Sequence, residues 1–528
     1  MGMTHSSAGV YVSERDFSQG AVRSVSTVAV IIGEANKGPV GKRTLVTTES
    51  EYVSTFGKPD VQIGYMGHSA LAYLAEGDRL YVTRVAPTAL YGGCTINWDP
   101  TLSVNTSVQW TAGEALPEHV SMSANALFSV YAIDPGSWND TLFVRVLPNT
   151  KLLNGYFWLE VYVKGSAQPV EKWSCHLDHV VDGFGVQLNV EEQLNRKSRY
   201  VRVVQNPNAI VAANPARQYI NTFDAGGSSA SPGIKLKGGS NGRRPNMSEL
   251  VSALDLYADK EYIDINLLIN GGITDPAFQM AMATLCQDRM DCVAILDTPS
   301  DMQSVENAII YRRDLLHLDS SYAALYSPDL LVADKFNDVR LYVPPSGFVA
   351  AAYARTDSEY ASWFAPAGMN RGDLKVSGVR ELYNQAKRDA LYETQVNAVR
   401  VIEGSGIKIW GADTLQVIPS ALSNISVRRL MIVLETTIAN LLLHSVFDPN
   451  DERLRSRIET VCRAFLGNIK DAQGLYDYGF ICNEDNNKAA TIAAGDLYVD
   501  MWVDPILPAK RIVFNAIINR TGVRVTGS

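Results

Sequence analysis

The chain has 528 residues, 46% of them apolar and 20% charged, which excludes a disordered or fibrous protein and, at about 100 to 200 residues per domain, predicts three or four domains. Its formal charge of −9 comes without any block of lysine or arginine, so no direct nucleic-acid partner is expected. The opening MGMTHSSAGV lacks a basic stretch followed by an apolar one, so no signal peptide is expected. Six cysteines (Cys94, Cys175, Cys286, Cys292, Cys462 and Cys482) follow no framework spacing, which fits reduced thiols.

In chain order, GVYVSERD (Gly9 to Asp16) comes first, a β-prone run with no local partner. STVAVIIGEANKGP predicts a buried strand, Val28 to Ile32, ending at Gly33 and followed by a loop closed by Gly38 and Pro39. SALAYLAEG predicts a helix feeding the strand RLYVTRV, Arg79 to Val85. From about Ala86 to Gly233 the runs TSVQWTA, ALFSVYAI, TLFVRVL, FWLEVYVKG and YVRVVQN are short, alternating and rich in aromatic and β-branched residues. They predict an inserted β-rich, sandwich-like module, and the loop-like stretch from Gly226 to Asn246 marks its end.

Beyond that loop, SELVSALDLYAD precedes YIDINLLIN, AFQMAMATLCQDRM precedes DCVAILDTP, and MQSVENAIIYRRDLL precedes YAALYSPDL. Near-continuous apolar strands between helices predict a parallel sheet covered on both faces, running to about Met369. In ISVRRLMIVLETTIANLLL, Val427, Met431, Leu434, Ile438 and Leu441 form one stripe, while Arg428, Arg429 and Glu435 argue against a membrane span. A second helix is predicted after FDPND, with Asp448 as its cap, Pro449 in its first position, and a stripe of Leu454, Ile458, Val461, Cys462, Phe465 and Ile469. The end, LYVDMWVDPILPAKRIVFNAIINRTGVRV, is β-prone again, with Pro505 and Pro508 in a connector.

Candidate chemistry is thin. Gly33 and Gly38 have phosphate-loop spacing, but Pro39 and Val40 stand where lysine and serine or threonine would hold phosphate and magnesium, so a glycine turn is expected. Cys175, His176 and His179 lack a fourth ligand at recognisable spacing, and a strand would put Cys175 and His176 on opposite faces. Asp297, His317 and Ser346 have the residue types of a nucleophilic triad, yet no elbow motif surrounds Ser346. GGSNG reads as a boundary loop rather than an anion cradle. No cofactor or metal is expected.

The ordered set GVYVSERD, STVAVIIGEANKGP, LVTTESEYVSTFGKP, AYLAEGDRLYVTRV, DPGSWNDTLFVRV, LKGGSNG, YAALYSPDLLV, VPPSGFVAAAYARTD, WFAPAG and ALYETQVNAVRVIEGSGIKIWGADTL resembles the contractile tail sheath proteins of myovirus-type bacteriophages. Tyr81, Val82, Arg84, Val85, Pro344, Ser346, Gly347, Ala354, Arg355, Asp357, Trp363, Pro366, Ala367, Asn397, Gly411 and Thr414 fall where the family pattern places them, and Ala351 departs from a position that is often glycine. The resemblance implies a mixed α/β and α+β multidomain fold. Its parts are a subtilisin-like doubly wound α/β core without an active site, the inserted β-rich domain, and a C-terminal helical/β assembly domain with terminal strand arms. The implied division is an exchange arm at 1–22, the first part of the core at 23–86, the insert at 87–233, the subtilisin-like part at 234–370, the C-terminal domain at 371–504 and a second exchange arm at 505–528.

The implied function is that of a non-enzymatic virion subunit, assembled in the host cytoplasm. It would stack as hexameric rings into a helical homopolymer around the tail tube and contract to drive that tube through the host envelope. Implied partners are further copies of the chain and the tail tube, baseplate and tail terminator proteins, without membrane insertion. In the family, terminal arms join a sheet of neighbouring subunits, and an unpaired strand added to another chain's sheet edge satisfies its amides and carbonyls. Carried over, the exchanged strands are Gly9, Val10, Tyr11, Val12, Ser13, Glu14 and Arg15, and Ile512, Val513, Phe514, Asn515, Ala516, Ile517 and Ile518. Gly20 and the Pro505 to Pro508 connector are then the expected hinges, and Arg428, Glu435, Arg453 and Arg457 are expected polar contacts to tube or neighbours. The alternatives are the sheath of a tailocin or secretion machine and, from another class, an α/β hydrolase using Ser346.

Overall fold

The computed structural model describes residues 27–97, 104–109, 122, 126–148, 156–206 and 233–510; the expected exchange strands, Gly9 to Arg15 and Ile512 to Ile518, lie outside them. The largest element is a nine-stranded sheet. Its strands, in spatial order, are Asp373–Leu374, Gly406–Ile409, Val396–Ile402, Ala323–Ser327, Val293–Asp297, Leu267–Ile269, Val28–Gly33, Arg79–Arg84 and Thr44–Val46. From Val396–Ile402 to Arg79–Arg84 all neighbours are parallel, and the outer strands are antiparallel. Parallel neighbours need crossovers, and the helices Pro276–Arg289 and Val305–Ile310 supply two of them.

Strand alternation buries both faces. Ala29, Ile31, Ile269, Ile295 and Tyr326 share a core with Ala70 of the helix Met66–Leu74 and with Val349 and Tyr353 of the helix Ser346–Glu359. Val30, Ile32, Leu268, Ala294 and Leu296 pack instead with Leu250 of Met247–Leu254 and Phe278 of Pro276–Arg289. Val28–Gly33 pairs directly with Leu267–Ile269, so the two α/β blocks that the β-rich insert separates in sequence form one sheet. The expected boundary at 370 would cut this sheet, because Val396–Ile402 pairs with Ala323–Ser327.

The insert holds two four-stranded antiparallel sheets. One orders Val201–Gln205, Ala126–Ala132, Leu90–Asn97 and Val104–Gln109; the other orders Ile234–Lys235, Leu142–Pro148, Phe157–Val163 and Glu171–Cys175. Cys94, Phe128 and Val203 of the first meet Val144, Phe157 and Leu159 of the second in a common core, with the rings of Phe128 and Phe157 stacked at 5.8 Å.

In the C-terminal part the helix Ile425–Leu443, here called the spine helix, faces two ways. Ile425 and Ile432 belong to the core of the large sheet, whereas Leu430, Leu434 and Ile438 pack on the helix Glu452–Asp471. That second helix starts later than its sequence predicts. Asp451 caps it by accepting from Leu454 N at 2.8 Å, and Asp448 pairs with Arg457 instead. Its buried stripe steps through Leu454, Ile458, Cys462, Leu466 and Ile469, leaving Val461 exposed and Phe465 half-buried. A two-stranded antiparallel ribbon, Leu475–Ile481 with Asp500–Pro505, closes the described chain. Among the described residues no helix is long and apolar enough to cross a membrane.

Candidate assembly site

The residues that suggested enzyme chemistry are placed otherwise. Asp297, fully buried at a strand end, accepts from Ser346 N and Ser346 Oγ, both at 2.7 Å, and from Gly272 N at 3.1 Å. It thereby caps the helix Ser346–Glu359, whose own N-cap, Pro345, has no side-chain donor or acceptor to offer. Burial pushes the Asp297 carboxyl up to about 7, while the Ser346 and Gly272 donors pull the other way. Ser346 is buried, its proton goes to a carboxylate, and it accepts from Gly271 N at 3.1 Å; His317 is exposed, with Nδ1 3.1 Å from Arg313 O. The Asp297–Ser346 pair is a helix cap, and the geometry assembles no triad.

The other two candidates also resolve into packing. Cys175 is buried against Gln193, His176 accepts from Asp178 N at 2.9 Å, and His179 pairs with Glu192 at 3.1 Å. Among the described residues no cluster of His, Cys, Asp and Glu is arranged to hold a metal. The Gly33 to Gly38 loop turns a carbonyl inward, since Gly38 O accepts from Arg84 Nη1 at 2.8 Å. An anion cradle needs inward N–H groups, so this loop has the opposite polarity.

Arg84 is where four of the quoted motifs meet. It is fully buried, and its guanidinium donates to Gly38 O, to Pro135 O at 2.7 Å and to Asn241 Oδ1 at 3.4 Å. Asn241 Oδ1 also accepts from Ser137 N at 3.1 Å, and Lys37 lies 4.6 Å from the Trp138 ring centroid. Thus GEANKGP, TRV, DPGSWND and GGSNG close on one cation at the point where the insert leaves and rejoins the core. Burial lowers Arg84 to about 10 and pulls the Lys37 ammonium below its ordinary value, the cost of taking charge out of water.

Of the later motif residues, Gly347 packs within the core, while Asp357 and Trp363 join the core to the C-terminal helices. Gly347 lets the helix Ser346–Glu359 touch the backbone of Ser69, which a side chain would meet at 2.5 Å. Asp357 pairs with Arg429 of the spine helix and accepts from Thr27 Oγ1 at 2.5 Å, while Arg429 also lies 4.8 Å from the Tyr353 ring centroid. Trp363 Nε1 donates to Ala472 O at 3.0 Å, beyond the end of Glu452–Asp471. Of the expected polar contacts, Glu435, Arg453 and Arg457 are exposed, but Arg428 is buried over the Tyr322 ring, 4.3 Å from its centroid.

The ribbon differs from all of these. Met501 and Val503 pack toward the C-terminal helices, yet among the described residues neither outer edge has a partner strand. Unpaired edges expose a row of N–H and C=O groups, and proteins usually blunt or cover them. Here Tyr476 and Trp502 stay 65% and 52% exposed beside them. Trp502 sits directly opposite Gly479, and its indole occupies the space a side chain there would need. The glycine facing a tryptophan in YDYGFI and DMWVDP is a signal that the sequence reading passed over.

Fold and site define a multidomain α/β protein whose buried polar groups serve as structural joints and whose C-terminal ribbon, among the described residues, has no partner strand on either side. The comparisons give that class a family. The model of the phage tail sheath protein central domain matches residues 245–415, and that of the phage tail sheath C-terminal domain matches 419–519. The chain is similar to the tail sheath protein of Enterobacteria phage T4, with 26% identity over 441 residues covering 74% of this chain and 65% of that one. It is also similar to that of Vibrio phage KVP40, with 29% identity over 336 residues covering 58% and 50%. The matches thus span between half and about two thirds of these curated relatives. The fold resembles the crystal structures of sheath tail proteins from Listeria innocua (TM-score 0.57, 10% identity, covering 91% of this chain and 95% of that one) and Desulfitobacterium hafniense (0.55, 12%, covering 90% and 94%). The chain belongs to the phage tail sheath family.

Proposed function

We propose that this protein is the structural subunit of a contractile phage tail sheath, polymerising as stacked hexameric rings around a tail tube and contracting to drive the tube through the host envelope. The observation that carries the reading is a ribbon that has, among the described residues, no partner strand on either outer edge, in a chain of the sheath family. Gly9 to Arg15 and Ile512 to Ile518 are the strands we assign to those edges on neighbouring copies. Each added strand would exchange main-chain contacts with water for interchain hydrogen bonds, at about 1 kcal/mol net apiece. Contraction is then a rearrangement of rigid cores joined by arms, driven by the difference between two packings. The buried joints at Arg84 and at Asp357–Arg429 support the rigidity this requires.

In this reading the large sheet with its covering helices is the subtilisin-like core, retained as a scaffold without catalysis. The subunit works in the virion tail after assembly in the host cytoplasm, and meets the tail tube, baseplate and terminator proteins there. Negative-stain microscopy of the purified chain provides the test. The full chain forms tubes, and removal of residues 1–20 leaves rings or short stacks. Tubes with normal connections between rings after that deletion would refute strand exchange.

A further inference from the structure

The stretch between the ribbon and the C-terminal arm is held at both ends. Just after Asp500–Pro505, Ile506 N donates to Gly474 O at 3.2 Å. Four residues on, the Lys510 ammonium pairs with Asp413 and lies 3.5 Å from the Tyr392 hydroxyl, with the ring centroid at 5.5 Å. Tyr392 belongs to the helix Gln385–Glu393, so the chain passes position 510 against the core, at a distance in sequence from Asp413 of 97 residues.

Asp413 has little freedom of its own. Asn397, on the core strand Val396–Ile402, donates Nδ2 to Asp413 O and accepts from Asp413 N, both at 2.8 Å. A side chain at Gly411 would meet Asn397 Oδ1 at 2.6 Å, so that pairing requires glycine there. Trp410 N donates to Ala398 O and Leu415 N to Ala323 O, each at 2.9 Å, and Ile425 N donates to Ala412 O at 3.0 Å. Thr414 Oγ1 donates to Leu422 O at 2.9 Å. Asn397, Gly411 and Thr414, which carry part of the family resemblance, therefore build a shelf at the foot of the spine helix. Its carboxylate is 10% exposed and faces a lysine side chain that is 36% exposed. The shelf keeps the acid in place, and the cation arrives on the segment leading to the arm.

We propose that Asp413 and Lys510 form a latch that fixes the root of the C-terminal arm to the core, so that a pull on this arm is taken at the foot of the spine helix and not by the ribbon. The Pro505 to Pro508 connector, expected as a hinge, is then a strut between two anchors. The latch is a property of the single subunit, and only the origin of the pull rests on the sheath reading. An ion pair with one partly exposed partner is screened by salt, so the latch weakens as ionic strength rises.

Hydrogen–deuterium exchange on the full-length chain tests it with Asp413→Asn, Lys510→Met and Lys510→Arg. The first two raise exchange at Ile506, Leu507, Ala509 and position 510 by about fivefold, and Lys510→Arg keeps it near the wild-type rate. About 0.5 M sodium chloride speeds exchange there in the wild type and adds little in Lys510→Met. Unchanged exchange in Lys510→Met overturns the latch. Loosening in Asp413→Asn alone, together with the strand Val396–Ile402, also overturns it, because the shelf would then be the cause. In assembled tubes, Lys510→Met loses ribbon protection at 475–481 and 500–505, and protection equal to wild type overturns the load path. A wild-type chain that forms no tubes refutes the sheath reading, and exchange in the subunit still decides the latch.

Discussion

The Arg84 junction and the C-terminal ribbon treat polar groups in opposite ways. At the junction, loops from the core and the insert surround a buried cation with carbonyl and amide oxygens. At the ribbon, the outer edges have no partner strand among the described residues and lie beside exposed Tyr476 and Trp502. Burying charge among matched partners makes a joint that is costly to open, whereas leaving main chain unpaired makes a surface that invites a partner. The sheath subunit proposed above would need both, in different places.

The largest effect expected in the core is at the spine helix. Arg429→Ala leaves Asp357 buried without its cation and costs about 3–5 kcal/mol, read as a lowered urea midpoint. A loss below about 1 kcal/mol would mean that the joint between core and C-terminal helices lies elsewhere. Next comes Arg84→Met, which strands Gly38 O and Pro135 O and costs about 3 kcal/mol, with faster proteolysis where the insert meets the core. If the insert stays as protected as in the wild type, the junction is not what docks it.

The helix cap gives a pH signature. The folded carboxyl of Asp297 sits near 7, above its ordinary 3.8, so its proton is held more tightly in the folded chain. This contribution to stability is fully present below about pH 4 and is lost as pH rises through about 7. Asp297→Asn removes that slope from the urea midpoint measured across this window; an unaltered slope would show that the cap does not titrate there. The smallest effect on the isolated subunit is expected at the ribbon, where Trp502→Lys shifts stability by about 0.5 kcal/mol yet reduces tube formation under the microscope. Should it unfold the subunit as Arg84→Met does, the contrast between joint and open surface fails.

Much of the architecture was legible in the sequence. Unbroken apolar strands such as VAILD predict a sheet buried on both faces, and Val293–Asp297 lies in one. Short alternating runs predict the β-rich insert. Each error traces to a particular contact. FDPND offers two aspartates for one cap; Asp451 takes it, and Asp448 pairs with Arg457 on the surface. Arg428 reads as a surface charge on a helix, but its neighbour across the space is Tyr322, whose ring face holds it inside. Ser346 and Asp297 look catalytic in a list of residues and turn out to be a helix cap when their hydrogen bonds are traced.

The sequence by itself determined where most strands and helices run and much of which faces are apolar, because periods of 2 and 3.6 are written into neighbouring residues. Only the tertiary structure decided that the strands on either side of the insert lie side by side, that Arg84 points into a ring of loops, and that Asp413 meets Lys510. Those contacts join residues from 46 to 238 positions apart, as between Arg84 and Gly38 or Val28 and Asn266. No local pattern specifies them, since a buried charge finds its partner through the packing of the whole chain.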